Sequence, residues 1–269
     1  MSKIGKLFRA LGLIAAKPSR LNLVLEDNEA WKKKVDPKIV SQNGLLQVDL
    51  LELFPNFNES VKPYSFLDGT SLITDLALLR SLARKFEKCE YLEIGTWRGE
   101  SVANVAEVAH HCVTINLPDE ELMKIGKSKE YVALHRYYSK DLKNVLHIQH
   151  DSLTFDYASL NKKFDLIFVD GDHHFENVKK DTENIFGLLK DERSIIVWHD
   201  YAFSPEKIRW EVLAGILNGI PETGHKHLYH VANTLCCIYS KQSIKTHPFR
   251  ADQQPNKKFE LTISSIPSK

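Results

Sequence analysis

The chain has 269 residues, of which 43% are apolar and 26% charged, and its formal net charge is +1. A near-neutral total supplies no field for a polyanion, which argues against a dedicated nucleic-acid binder. No apolar run reaches the ~18 residues that cross a bilayer, and the length suits one large domain, or one domain with an extra segment.

At the N-terminus, Lys3, Lys6 and Arg9 surround a stripe of Ile4, Leu7, Phe8, Leu11 and Ile14 at helical spacing. This predicts an amphipathic helix whose apolar face meets its own domain, a second subunit of a homo-oligomer, or a membrane surface through residues 3–15. A cleaved signal fits less well, because the apolar run is short and Lys17-Pro18 follows it directly. The rest of residues 1–62 alternates short apolar pieces (21–25 and 45–54) with Asn, Pro and charge, and reads as a helical, irregular cap.

From Thr70 to Phe86 the spacing of Leu72, Leu76, Leu79 and Leu82 predicts a helix. Strands then follow at 90–95, 112–117, 145–150, 164–170 and 194–199, with helical patterns after the first (Ser101 to Ala109) and after the fourth. In the latter, Val178, Thr182, Ile185 and Leu189 share a face. Ser204-Pro205-Glu206 has the composition of a helix start, with Ile208, Val212 and Ile216 as the apolar face. Strands at 228–232 and 235–240 are separated only by Asn233 and Thr234, which permits an antiparallel hairpin and forbids a crossover. Alternating strands and helices imply an α/β fold, a Rossmann-like doubly wound sheet of seven strands. It is mostly parallel, with an antiparallel edge hairpin. The domain runs from 63 to 245, and 246–269 form a tail.

Cys89, Cys112, Cys236 and Cys237 contain no C-x-x-C pair. They read as buried thiols of a protein in a reducing, cytoplasmic compartment.

Ligands of such sheets bind outside the carboxyl ends of the strands. The first strand ends Glu93-Ile94-Gly95-Thr96-Trp97-Arg98-Gly99-Glu100-Ser101. The two glycines permit a sharp turn that a ligand can press against. Glu93 would repel a pyrophosphate and hold a cationic ligand, and the dinucleotide pattern G-x-G-x-x-G is absent.

This stretch resembles the first motif, E/D-x-G-x-x-x-G, of class I S-adenosylmethionine-dependent methyltransferases. The resemblance implies that Glu93, Gly95, Thr96, Trp97, Gly99 and Ser101 form the cofactor loop. It implies a ribose contact near Asn116, although an acid is usual there and Asp119 and Glu120 come only later. It also implies an adenine contact at Asp151 and Ser152, in Gln149-His150-Asp151-Ser152; an Asp-Ser pair after a strand is equally a cap or turn. FVDGDHHFENVKKD (168–181) followed by IIVWHDY (195–201) resembles a narrower branch, which includes sugar O-methyltransferases of macrolide biosynthesis and, as relatives, cephalosporin-hydroxylase-like proteins. The resemblance covers roughly residues 65–240.

Within this frame Asp170 and Asp200 end neighbouring strands and face one rim, Asp170 also lying against the cofactor. Two carboxylates suit a hard divalent cation such as Mg. His199 replaces an oxygen ligand found in metal-dependent relatives, and an imidazole suits Mn, Fe or Zn better. Asp170, His199 and Asp200 are therefore the candidate metal ligands. The branch also implies His173 as general base, with Asp170 and Asp200 as its catalytic companions; imidazole is suited to that role at neutral pH. His174 reads as surface and Asp172 as a helix-start acid. Tyr64, Asp68 and the run Arg209-Trp210-Glu211 are further candidates for lining the rim.

The expected activity is methylation of a hydroxyl on a sugar or other small polar acceptor, with S-adenosylmethionine as donor. A metal-dependent hydroxylase-like member of the same fold, a nicotinamide oxidoreductase and a non-catalytic cofactor-binding partner subunit are the alternatives.

Overall fold

The computed structural model describes residues 2–18, 28–252 and 254–267; the apolar piece at 21–25 lies outside the described residues. The N-terminal helix is α1 (Lys3–Ala16). None of its residues is buried, and Ile4, Leu7 and Phe8 remain 67%, 57% and 69% exposed. Two short helices, α2 (Asn28–Lys32) and α3 (Pro37–Ser41), lead to β1 (Gln47–Val48) and α4 (Leu50–Leu53).

Helix α5 (Ile73–Ala83) precedes the alternating region of β2 (Glu90–Ile94), α6 (Glu100–Ala106), β3 (His111–Asn116), α7 (Asp119–Lys124), α8 (Lys129–Ala133), β4 (Val145–Gln149) and β5 (Leu166–Val169). It continues with α9 (Phe175–Phe186), β6 (Ile195–Trp198), the short strands β7 (Ala202–Ser204) and β8 (Lys207–Ile208), and α10 (Trp210–Gly219). Strands β9 (Leu228–Val231) and β10 (Cys237–Tyr239) complete the series.

The main sheet has the order β1-β9-β10-β6-β5-β2-β3-β4. β10 runs antiparallel to both β9 and β6, and the other neighbouring pairs are parallel. The hairpin forms as its short link requires. The sheet has eight strands and not seven, because β1, in the segment read as a cap, pairs Gln47 with His230 and Val48 with Val231.

The apolar runs of β5 and β6 are buried on both faces, and their alternation divides the core. Ile167, Val169, Ile196 and Trp198 face α9 and α10, against Val178, Ile185, Leu213 and Ile216. Leu166, Phe168, Ile195 and Val197 face α5 and α6, against Leu78, Leu82, Val102 and Val105. This alternation is the period-2 geometry of a pleated strand.

The helix expected to start at Ser204-Pro205-Glu206 does not form there. Ala202–Ser204 and Lys207–Ile208 pair as a two-stranded hairpin, with Pro205 and Glu206 in its turn. The helix begins at Trp210, whose backbone N–H donates to Asn28 Oδ1 at 2.8 Å, while Asn28 Nδ2 donates to the Ile208 carbonyl at 3.0 Å. A side chain distant in sequence thus caps this helix, and the local Ser-Pro-Glu signal is overridden. Ile208 lies in the hairpin; Val212 and Ile216 are buried on the helix as expected.

Candidate active site

Strand order reverses between β2 and β5, where the chain leaves β2 toward β3 on one side and β5 continues toward β6 on the other. Such a switch point opens a crevice at the carboxyl ends of the strands. The loop after β2 lies there. Gly95 has φ 84°, and a Cβ built on it would lie 2.1 Å from the carbonyl oxygen of Asp170. Gly99 has φ 77° and starts α6; a Cβ there would meet Ser139 Oγ at 2.2 Å. Both positions therefore require glycine, for conformation and for space. Trp97, also at positive φ, packs on Tyr131 with ring centroids 4.1 Å apart. Thr96 Oγ1 is buried in the loop without a hydrogen-bond partner.

Glu93 lies beneath this loop and is fully buried. Its carboxyl accepts from Tyr91 Oη at 2.6 Å and from Ser101 Oγ at 2.9 Å. Burial pushes its pKa up to about 8, against the opposing pull of those two hydrogen bonds and with a further push from Asp170. The group thus sits near its titration point at neutral pH.

Arg98, absent from the sequence-based set, ties the loop to the segment before α5. Its Nη1 donates to the Asp68 carbonyl at 2.8 Å, and its Nη2 to Thr70 Oγ1 at 2.6 Å and Glu100 Oε2 at 3.2 Å. Glu100 Oε1 in turn accepts from the Ser65 backbone at 2.8 Å. Asp68 enters through its main chain, and Tyr64 donates its hydroxyl to the Ser71 carbonyl at 3.0 Å.

At the end of β3, Asn116 Nδ2 contacts the Leu117 carbonyl at 3.1 Å and His135 Nδ1 at 3.0 Å. Asp119 is taken up by Arg136 at 2.8 Å. After β4, Asp151 Oδ1 accepts from the Leu153 backbone at 3.0 Å, a local turn. Below it Asp181 is buried, which raises its pKa to about 6 against a hydrogen bond from Ser152.

The ends of β5 and β6 bring the remaining candidates together. His173 Nε2 lies 3.1 Å from Asp200 Oδ2, and both side chains are partly open to solvent. Asp200 adopts φ 50°, the left-handed region that non-glycine residues seldom occupy and that concentrates at functional sites. Burial alone would raise its pKa; contact with His199 and the charges of His173 and Arg209 outweigh that and hold it at about 2. His174 instead pairs with Asp172 at 2.6 Å and is 73% exposed.

His199 is buried, with Nδ1 3.1 Å from Asp170 Oδ1 and 3.6 Å from Asp200 Oδ2, although aligned for a hydrogen bond with neither. Its Nε2 is 3.0 Å from Asp75 Oδ2. Burial disfavours an imidazolium here, but the Asp170 charge and the contacts with Asp170, Asp200 and Asp75 prevail and hold the pKa well above its usual range. Three carboxylates thus call for a positive charge at this point. Oxygen or nitrogen atoms of Asp170, His199 and Asp200 all lie within 4.8 Å of one another. That spacing and the unpartnered Nδ1 fit a divalent cation. Asp75, His199 and Cys236 form a second such group, in which both Asp75 oxygens already accept from backbone N–H groups, of Leu72 and Leu235.

Beside His173 lies a shallow cleft of about 70 Å³, lined by Asn28, Trp31, His174, Phe203, Arg209 and Glu211. Arg209 and Glu211 reach the rim as their position in sequence suggests, whereas Trp210 is buried in the core. Asp75, Arg98, Trp31 and Phe203 are site-forming residues that sequence reasoning missed. Only Arg98 had a visible signal, its place inside the loop motif.

A doubly wound sheet with a glycine-bearing loop at its switch point and an acidic, histidine-bearing rim defines a ligand-binding α/β domain. Residues 92–201 match the model of a family described as a methyltransferase domain. That stretch, from β2 to just past the end of β6, is what the chain shares with the family. No curated protein matches the chain significantly. Among solved structures, the apo form of CalS11, a TDP-rhamnose 3'-O-methyltransferase of calicheamicin biosynthesis, is 14% identical, with a TM-score of 0.44 over 62% of this chain and 79% of that one. An O-methyltransferase of Klebsiella pneumoniae, so described provisionally, is 17% identical, with a TM-score of 0.44 over 65% and 84%. The N-methyltransferase NodS of Bradyrhizobium japonicum, in complex with S-adenosyl-L-homocysteine, is 17% identical, with a TM-score of 0.38 over 61% and 75%. Likenesses of this size assign neither reaction nor substrate.

Proposed function

We propose that the chain transfers the methyl group of S-adenosylmethionine to a hydroxyl of a sugar or other small polar acceptor, with His173 as general base. The observation that carries this reading is the 3.1 Å contact of His173 Nε2 with Asp200 Oδ2 at the strand ends beside the Gly95 loop. Asp200 is ionised and can only accept, so Nε2 carries the proton and Nδ1 is left to take one from the acceptor.

Bound S-adenosylmethionine supplies an electrophilic methyl group on a sulfonium sulfur. The loop from Gly95 to Gly99 offers bare backbone to its amino-acid part, with Thr96, Trp97 and Ser101 around it. Glu93 beneath supplies a negative charge once ionised, and Asn116, Asp151, Ser152 and Asp170 are the candidates for its remaining contacts. Holding acceptor and donor in line contributes ~7–11 kcal/mol of the barrier reduction. Proton removal by His173 adds roughly 10²–10⁴-fold. Asp170, His199 and Asp200 would hold a divalent cation, whose charge lowers the pKa of a coordinated hydroxyl. The four cysteines are all free and buried, which suits the reducing, cytoplasmic setting proposed for it.

Titration calorimetry with S-adenosylmethionine and with NAD tests the reading. Heat is expected with the first alone, and no binding of S-adenosylmethionine would overturn it.

A further inference from the structure

His199 is held from behind by a residue of α5. Asp75 stands in the first turn of α5, where an acid commonly accepts from the backbone at the helix start, and its Oδ2 does accept from the Leu72 N–H at 2.8 Å. The carboxylate goes further than a cap. It is fully buried, and its Oδ1 accepts from the Leu235 N–H at 2.9 Å, beside the Cys236 thiol at 3.7 Å. Its Oδ2 faces His199 Nε2 at 3.0 Å, and His199 is its only ion-pair partner among the described residues. α5, the β9–β10 link and the end of β6 therefore meet on one carboxylate.

We infer that Asp75 is a positioning residue that fixes His199 with Nε2–H pointing into the core and the Nδ1 lone pair facing Asp170 and Asp200, so that the rim binds an imidazole-accepting divalent cation in preference to Mg. Both Asp75 oxygens already receive N–H donors, so the carboxylate acts only as an acceptor toward Nε2. This selects the tautomer, as a carboxylate behind a metal-binding histidine does. Nδ1 is then a buried donor atom without a hydrogen-bond partner, aimed between two carboxylates. A cation entering between the two carboxylates takes the place of the Nδ1 proton, which leaves to solvent; two carboxylates and the resulting neutral imidazole carry two negative charges, which matches a divalent ion. An imidazole in the set favours Mn, Co or Zn over Mg. The inference rests on the cation-holding part of the proposed function.

Calorimetric titration of the full chain with MnCl₂ and with MgCl₂, together with electron paramagnetic resonance of the Mn-loaded protein, tests it. Mn should bind at least tenfold more tightly than Mg, and its spectrum should show nitrogen coupling from one imidazole. Asp75→Asn should weaken Mn binding by roughly 10–100-fold with the circular dichroism unchanged. If that variant does not fold, His199→Asn decides. It should lose the nitrogen coupling and the preference for Mn while still binding S-adenosylmethionine. Equal Mn affinity in a folded Asp75→Asn protein, or Mn bound without nitrogen coupling, would overturn the inference. So would the absence of Mn binding in a protein that binds S-adenosylmethionine, a result that leaves the methyltransferase reading standing.

Discussion

His173 Nε2 and Asp200 Oδ2 lie 3.1 Å apart, although one residue follows β5 and the other follows β6. The pairing of these two parallel strands, Val169 opposite Trp198, brings the two loops to one rim. Asp200 stands there with a left-handed backbone, at φ 50°.

His173→Ala should lower kcat by roughly 10²–10⁴-fold with little change in S-adenosylmethionine affinity. Asp200→Asn should also lower kcat, since an amide neither fixes the His173 tautomer nor stabilises its protonated form. Steady-state kinetics and cofactor titration on both variants check this; an unchanged kcat in His173→Ala removes the histidine from the chemistry.

Gly95→Ala should impair both folding and cofactor binding. The positive φ alone costs about 1–3 kcal/mol for an alanine, and the added Cβ would stand 2.1 Å from the main-chain oxygen of Asp170, which cannot swing away as a flexible side chain could. Thermal denaturation and calorimetry provide the measurements, and wild-type cofactor affinity in this variant would place the ligand elsewhere.

Glu93 makes stability and cofactor binding depend on pH. Its folded pKa, about 8, exceeds the ordinary carboxyl value of 4.5, so between these values the native state binds more protons than the unfolded chain. Its contribution to stability is complete below about pH 4.5 and declines as pH rises toward 8. Glu93→Gln should flatten that part of the Tm–pH curve. A cationic ligand above Glu93 favours the ionised form, so binding near pH 7 should release protons. Calorimetry in buffers of different ionisation enthalpy detects this, and a buffer-independent heat would contradict it.

Arg98→Ala should cost about 3–5 kcal/mol, because it leaves Glu100 buried without its partner. It should also free the 65–70 segment, which Arg98 and Glu100 hold against the loop. Chemical denaturation and limited proteolysis around residue 67 test both effects; retained protection there would mean that other contacts suffice.

The continuous apolar runs of β5 and β6, the short link before β10 and the spacing of Glu93, Gly95 and Gly99 were enough to fix the sheet class, the hairpin and the loop, since each depends on local conformation and period. Helix α9 starts at Phe175, and Asp172 stands just ahead of it, accepting from the His174 N–H at 2.7 Å. Ser204-Pro205-Glu206 misled because a contact from Asn28 outweighed a local preference. The two-residue strand β1 carried too short a pattern to be read.

Sequence by itself determined which residues stand at the strand ends, because a pleated strand and the turn after it are set by neighbours along the chain. Tertiary structure alone decided which of those residues face one another. Asp75 was not singled out from sequence at all, and its contact with His199 joins positions 124 apart in sequence. Pairing of that kind depends on strand order and on burial of competing donors, and no local pattern records either.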